Sequence, residues 1–461
     1  VTTAVSGRAT ATPAAILGII LASYFMVLLD NSVIFTGLPS IRSGLDLSPA
    51  ALSWVQDAYT LVFGGLLLLA ARAGDIVGRR RLFRIGLAIF GTASAGWWMI
   101  AARAVQGIGA AIVAPTSLAL ITTYFDGEAR NKAVAWYAAT AGIGASLGLL
   151  VGGALTEWIS WRAAFLVNVP IAVALIVWSS TVLTETPRRT GRFDVIGALG
   201  ATLGMGAVIF GIIESAEAGW GSARVQIALA LGAVLLIGLV VHEGRVQQPI
   251  LPLRLFRSRE RSGAYTARLL YLGAMIGFFY FTTQLLQDVF SFSPLQAGLG
   301  FLPMTLVNFV VALMVPRLSA RLSNGTLLAT GTALTLAGMA WLSRIDPLDT
   351  YLVDVALPMV LVGAGQGLAF GLLTNAGIAG VDSADAGAAS GLVNTAHQLG
   401  MALGLGVLVA LAADAGANLD GPAAVTEHVG AALTGGTVLL ALALVVVLTV
   451  IVPAARHRPV A

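Results

Sequence analysis

Ala71–Phe83, ARAGDIVGRRRLF, is the stretch whose reading decides the fold. Four arginines (Arg72, Arg79, Arg80, Arg81) and one acid (Asp75) stand between two long apolar runs. Each run is about 20 residues, enough at 1.5 Å per residue to cross a hydrocarbon core of roughly 30 Å. A dense basic loop between two such runs stays on the cytoplasmic side and orients the rest of the chain. Gly74 and Gly78 suit a tight turn there, because glycine tolerates positive φ.

The rest of the composition agrees. The chain has 461 residues, of which 57% are hydrophobic and only 10% charged. A soluble globular chain carries about 25% charged residues. The pattern is that of an all-α polytopic membrane protein. Its net charge of +4 sits in loops and sets topology, so no nucleic-acid partner is expected. There is no cysteine, which excludes disulfides and thiolate chemistry. The first apolar run, Ile16–Pro39, exceeds a signal-peptide core and lacks a basic start and cleavage site before it, so a retained helix is expected.

Fourteen spans are expected, at 14–40, 52–71, 82–101, 103–124, 133–156, 163–184, 194–214, 224–242, 264–289, 296–316, 325–342, 351–375, 387–414 and 431–453. An even count puts both termini on one side, the cytoplasmic one. With this topology 20 basic residues fall inside and 4 outside, while Arg103 and Arg268 fall within spans. An error of one span would scramble that asymmetry. The spans group as six, two and six: 1–185 is a first bundle, 186–262 holds two additional helices and a cytoplasmic linker, and 263–461 is a second bundle. The linker string PILPLRLFRSRER suits a short amphipathic segment on the membrane surface.

Charged groups at membrane depth are costly and mark function by default. Asp30 lies some 21 Å along the first span, beyond the midplane. It can bind and release a proton there. Alternatively, Asp30, Asn31 and Ser32 form a helix-breaking notch bonded to their own backbone. Arg103 cannot lose its proton but can stabilise a nearby carboxylate. Its alternative is snorkelling outward from the start of span 4. Gly144, Gly148 and Gly152 recur every four residues beside Gly153, a ridge that permits close helix contact. Asp57 falls near the outer end of span 2, where a solvated gate-side acid is expected over a buried coupler. Gln284, Gln287 and Asp288 share a helix face, and with Asn375, Asn394 and His397 they are candidates to line a cavity. Helix–helix hydrogen bonds are the competing reading.

Several of these strings resemble one family. GDIVGRR resembles the helix 2–3 signature of the major facilitator superfamily, with Asp75, Gly78, Arg79 and Arg80 at matching places and Ile76 in place of an arginine. LDNSVIFTGLP (Leu29–Pro39) resembles the span 1 signature L-D-x-T-I-V-N-V-A-L-P of its fourteen-helix drug–proton antiporters, with Phe35 in place of asparagine. RAVQGIGAA (Arg103–Ala111) and WRAAFLVNVP (Trp161–Pro170) resemble the family's span 4 and span 6 signatures. AGIGASLGLLVGG (Ala141–Gly153) resembles the antiporter signature G-x-x-x-G-P-x-x-G-G, with Leu149 in the proline's place. The resemblance implies two six-helix bundles plus two extra helices, rocking around a central cavity. It implies a proton and cation site at Asp30 tuned by Arg103. It also implies a cytoplasmic gate at Asp75, Gly78, Arg79 and Arg80, with Arg130 as a salt-bridge partner for Asp75 near Asp385–Gly387.

The chain shows no P-loop, H-E-x-x-H or G-x-S-x-G string, so no ATP-driven export, metal site, cofactor or enzyme is expected. The expectation is a proton-coupled exporter of small hydrophobic or cationic compounds, working as a monomer in the cell membrane. Two alternatives stay open: a dedicated exporter of one natural product, and a non-transporting receptor of transporter-like build.

Overall fold

The computed structural model describes residues 12–77, 79–92, 99–183, 194–246, 249, 251–381 and 385–456. They form helices and connections, with no strand among the described residues. The helices are α1 (Pro13–Leu45), α2 (Pro49–Val77), α3 (Arg79–Thr92), α4 (Met99–Tyr124) and α5 (Gly127–Trp158). Next come α6 (Trp161–Val182), α7 (Val195–Ala218), α8 (Ala223–Glu243), α9 (Arg259–Val289) and α10 (Pro294–Ser319). The last four are α11 (Asn324–Leu342), α12 (Tyr351–Gly377), α13 (Ala386–Ala412) and α14 (Gly421–Ala454).

Among the described residues, twelve helices are long and apolar enough to cross a membrane. This is a multi-pass membrane protein. Fourteen such helices were expected. The other two expected spans are 82–101, which covers part of α3 and residues 93–98 outside the described ones, and 133–156, on α5, whose described apolar part is Leu147–Trp158. The arginine-rich stretch differs from the loop expected of it. α2 runs to Val77 and α3 starts at Arg79, so nearly all of it is helical. A helix satisfies its backbone groups internally and so continues past the hydrocarbon without cost.

Two apolar cores follow from the chain order. One joins α1–α6 through residues such as Ile20, Phe63, Val113 and Leu175. The other fills α9–α14, and it reaches across to Phe35, Leu38, Val55, Leu149 and Phe165. This bridging lies at the end of the molecule where α1 finishes, opposite the arginine-rich junction. Polar contacts close the same end. The Gln287 side chain donates to the Thr36 carbonyl at 2.9 Å, and Glu157 accepts from the Leu295 amide at 3.1 Å and from the Ser293 hydroxyl. A Cβ on Gly153 would stand 2.5 Å from the Pro294 carbonyl oxygen, so only glycine lets α5 meet α10 this closely.

α7 and α8 pack on each other and lean on the seam between α2 and α13 through Leu61, Ile209, Ile213 and Ala402. The far face of α8, with Ile227, Val234 and Ile237 about two-thirds exposed, suits lipid. At their base the His242 ring meets Asp194 at 2.8 Å, and Glu243 accepts from the Leu251 amide at 3.0 Å. The turn Leu253–Arg257 is clamped to α9 and to the start of α13. Leu255 is buried with Tyr265 and Leu392, and Arg254 holds Asp385 by two bonds of 2.6 and 2.8 Å. Hydrogen bonding from Arg254 holds the Asp385 carboxyl below the usual carboxylate range.

Candidate functional site

α1 is one continuous helix through Asp30, and the notch reading fails. The Asp30 side chain turns away from its own backbone and is fully buried between α4 and α6. Arg103 Nη1 donates to Asp30 Oδ2 at 2.6 Å, and neither side chain is exposed at all. Asn168 Nδ2 and Gln106 Nε2 donate to the other carboxylate oxygen at 2.6 and 3.2 Å. Arg103 also donates from Nε to the Val55 carbonyl at 3.0 Å and from Nη1 to Gln106 Oε1 at 3.0 Å. Its guanidinium lies 4.3 Å from the centre of the Tyr59 ring. Arg103 therefore does not snorkel.

Chemically this is a buried ion pair with donors on both carboxylate oxygens. Such a pair is held together by its charges and is strongly perturbed when one is removed. A proton arriving at Asp30 would cancel its charge, leave Arg103 uncompensated and bias the packing of α1, α4 and α6 together. Arg103 Nη2 and Asn168 Oδ1 have no hydrogen-bond partner among the described residues, which gives the cluster capacity to rearrange.

The glycine ridge is part of the same site. A Cβ on Gly148 would stand 2.6 Å from Ser32 Cβ and 2.9 Å from the Leu29 carbonyl oxygen. On Gly152 it would stand 2.7 Å from the Val33 Cα, and on Gly144 2.9 Å from Leu28 Cβ. The ridge thus seats α5 directly behind the turn of α1 that carries Asp30.

Asp57 corrects an expectation. It is not a solvated gate-side acid but fully buried, and neither oxygen has a hydrogen-bond partner among the described residues. It lies eight residues inside α2, about 12 Å in, which is deeper than the expected span boundary implied. Leaving a buried polar group unpaired costs about 1–3 kcal/mol. Asp57→Leu is therefore expected to raise unfolding stability in detergent by about 1–3 kcal/mol. A loss of stability in that variant would mean the carboxyl is partnered after all.

The remaining candidates do not converge on one surface. Gln284 donates to its own helix at Tyr280, Gln287 bridges to Thr36, and Asp288 is exposed. Asn375 is exposed, and Asn394 donates to Ser390 of its own helix. Only His397 joins a charged group, Arg268. At the arginine-rich junction, Arg79 donates to the Ala119 carbonyl at 2.7 Å and Arg80 to the Ser180 carbonyl at 2.8 Å, tying α3 to α4 and α6. Arg130 pairs with Asp126 at 2.7 Å. Gly78 and the side chain of Asp75 lie outside the described residues.

Two partners of Asp30, Asn168 and Gln106, enter the sequence reading only within signature strings. Arg268, on α9 and outside this cluster, enters it only as a charge within a span. The usable signal for Arg268 was depth alone, a cation inside an apolar run.

Comparison with known proteins bears on this arrangement. The Major Facilitator Superfamily model matches residues 20–405. The chain is 40% identical to the cephamycin export protein of Amycolatopsis lactamdurans, over 98% of this chain and 96% of that one. It is 38% identical to the puromycin resistance protein of Streptomyces alboniger, over 93% of this chain and 88% of the other. A bacterial homologue of the human lysosomal transporter Spinster, solved inward-facing and occupied, superposes with a TM-score of 0.64 at 16% identity, covering 98% of each chain.

Proposed function

The chain belongs to the major facilitator superfamily, and from that premise we propose that it exports small drug-like molecules in exchange for protons. It is a transporter, not an enzyme. In this reading α3 and α5 complete fourteen spans, arranged as a first bundle (1–185), an additional pair with its linker (186–262) and a second bundle (263–461). The arginine-rich junction and both termini are cytoplasmic, and each monomer encloses its own path. The described state is then closed on the outer side, where Gln287, Glu157 and Ser293 join the bundles.

The observation that carries the proposal is the Asp30–Arg103 pair, buried to 0% exposure in the first bundle. A proton entering from outside neutralises Asp30 and releases Arg103. The cluster relaxes, the bundles rock, and the proton leaves inside. The driving force is about 2.3 kcal/mol per charge per 100 mV, with about 1.4 kcal/mol per pH unit. A second reading, export of a single antibiotic, is favoured by the near full-length match to a protein named for cephamycin export. Resistance to one compound rather than to many unrelated ones would select it.

The test is substrate-driven proton movement in proteoliposomes. With an exported compound supplied outside the vesicles, the parent protein should alkalinise the lumen, because protons leave as the compound enters. Asp30→Asn should lower that proton flux at least about tenfold, equivalent to 1.4 kcal/mol, while still binding the compound. Normal coupling in Asp30→Asn would remove Asp30 from the mechanism.

A further inference from the structure

We infer that Arg268, with His397 and Thr374, seats a carboxylate or comparable anionic group of the exported molecule; this deepens the exporter reading and rests on it. Arg268 lies in α9 at 2% exposure. Among the described residues no carboxylate is within salt-bridge distance of it. Its partners are all neutral. Nη1 donates to Thr374 Oγ1 at 2.8 Å and to the Phe370 carbonyl at 3.5 Å, and Nη2 meets His397 Nδ1 at 3.2 Å. The Phe370 ring stands 4.5 Å from the guanidinium carbon.

A guanidinium has donors only and cannot shed its proton. So His397 Nδ1 must accept, and the neutral ring carries its hydrogen on Nε2. That makes the half-buried histidine a second donor beside the cation. Arg268 Nε has no hydrogen-bond partner among the described residues. The Nε/Nη2 edge is the side of the fork that grips carboxylates bidentately. The helix that carries Arg268, α9, packs against α1. The cluster therefore belongs to the helix at which the two halves of the chain meet.

Energetics favour the same ligand. A buried charge without a counter-ion is strongly destabilising, and removing that deficit is a large source of binding free energy. In the first bundle, Asp30 compensates Arg103. Arg268 has no such acid among the described residues, and a cargo carboxylate would supply it. A fixed positive charge there also disfavours cationic cargo, in contrast to the cationic class expected from the sequence. Anionic lipid headgroups offer the same chemistry, so the experiment must separate the two sources.

The experiment measures binding of 1-naphthylacetate, its neutral amide and 1-naphthylmethylammonium to the purified full chain in phosphatidylcholine nanodiscs. The parent should bind the carboxylate at least tenfold more tightly than the amide, and the ammonium more weakly than either. R268Q should lose the acid-over-amide preference, and R268K should keep part of it. His397→Leu, a milder change, should reduce the preference at least threefold even if R268Q does not fold. Repeating the parent measurement with phosphatidylglycerol present should leave the preference unchanged. Equal binding of acid and amide by the parent overturns the proposal. So does a preference surviving in folded R268Q, or unchanged in His397→Leu, or abolished by phosphatidylglycerol. Failure of the exporter reading shows separately, as absence of proton movement that depends on Asp30.

Discussion

Arg103→Gln is expected to cost the folded protein about 3–5 kcal/mol, because it removes one partner of a buried ion pair and leaves the other in place. Asp30 would then keep only Asn168 and Gln106, two neutral donors on one carboxylate oxygen. The glutamine would also abandon the Val55 carbonyl and the Tyr59 ring that Arg103 now covers. Adding Asp30→Asn removes the stranded charge. The double variant should recover roughly 2 kcal/mol, the size of coupling typical of groups in one buried network. Unfolding of all four proteins in one detergent, analysed as a cycle, measures this term. Transport behaves differently. Both the single and the double variant should fail to couple, since neither has a proton-binding carboxyl facing a cation. Stability restored without transport separates the two roles of the pair. A double variant no more stable than Arg103→Gln alone would show that the two side chains do not depend on each other.

What the sequence revealed follows from what one-dimensional spacing can encode. Apolar run length marks where the chain can cross, and twelve of the fourteen expected spans meet helices long and apolar enough among the described residues. A charge inside such a run is conspicuous, so Asp30 and Arg103 stood out. Depth along a helix is also readable, at 1.5 Å per residue. The facing direction of a side chain is not, because it depends on which neighbour covers it. Asp57 shows this. Its span boundary is expected three residues late, at 52 rather than at Pro49, and nothing in WVQDAYTL says that the acid is fully buried. Asn168 shows it from the other side. A lone asparagine next to a proline is an ordinary kink residue, and only the fold brings it to 2.6 Å from Asp30. Gln284, Gln287 and Asp288 share a helix face by spacing, yet one bonds its own helix, one reaches α1 and one is exposed. Spacing groups residues on an element, and tertiary contact then divides them.

Gly148→Ala is expected to cost about 1–3 kcal/mol, the range for overpacking a close contact, and Gly148→Leu to abolish transport. The added Cβ would meet Ser32 Cβ at 2.6 Å and the Leu29 carbonyl oxygen at 2.9 Å. One is the first atom of a short buried side chain and the other is backbone, so neither can swing aside. α1 itself would have to move. It carries Asp30 between those two contacts, with Asn168 and Arg103 both at 2.6 Å on its other side. Hydrogen bonds of this kind weaken steeply once the heavy atoms pass about 3.2 Å, so a displacement well under an ångström is enough to perturb the cluster. The reference is Gly238, where an added Cβ meets nothing within 4 Å. Gly238→Ala should be neutral, or stabilise by up to about 1 kcal/mol through helix propensity. Stability in detergent and proton-coupled uptake should therefore separate two chemically identical substitutions. If the two alanine variants behave alike, α5 does not set the position of α1, and the ridge is mere packing with no bearing on the carboxyl it backs.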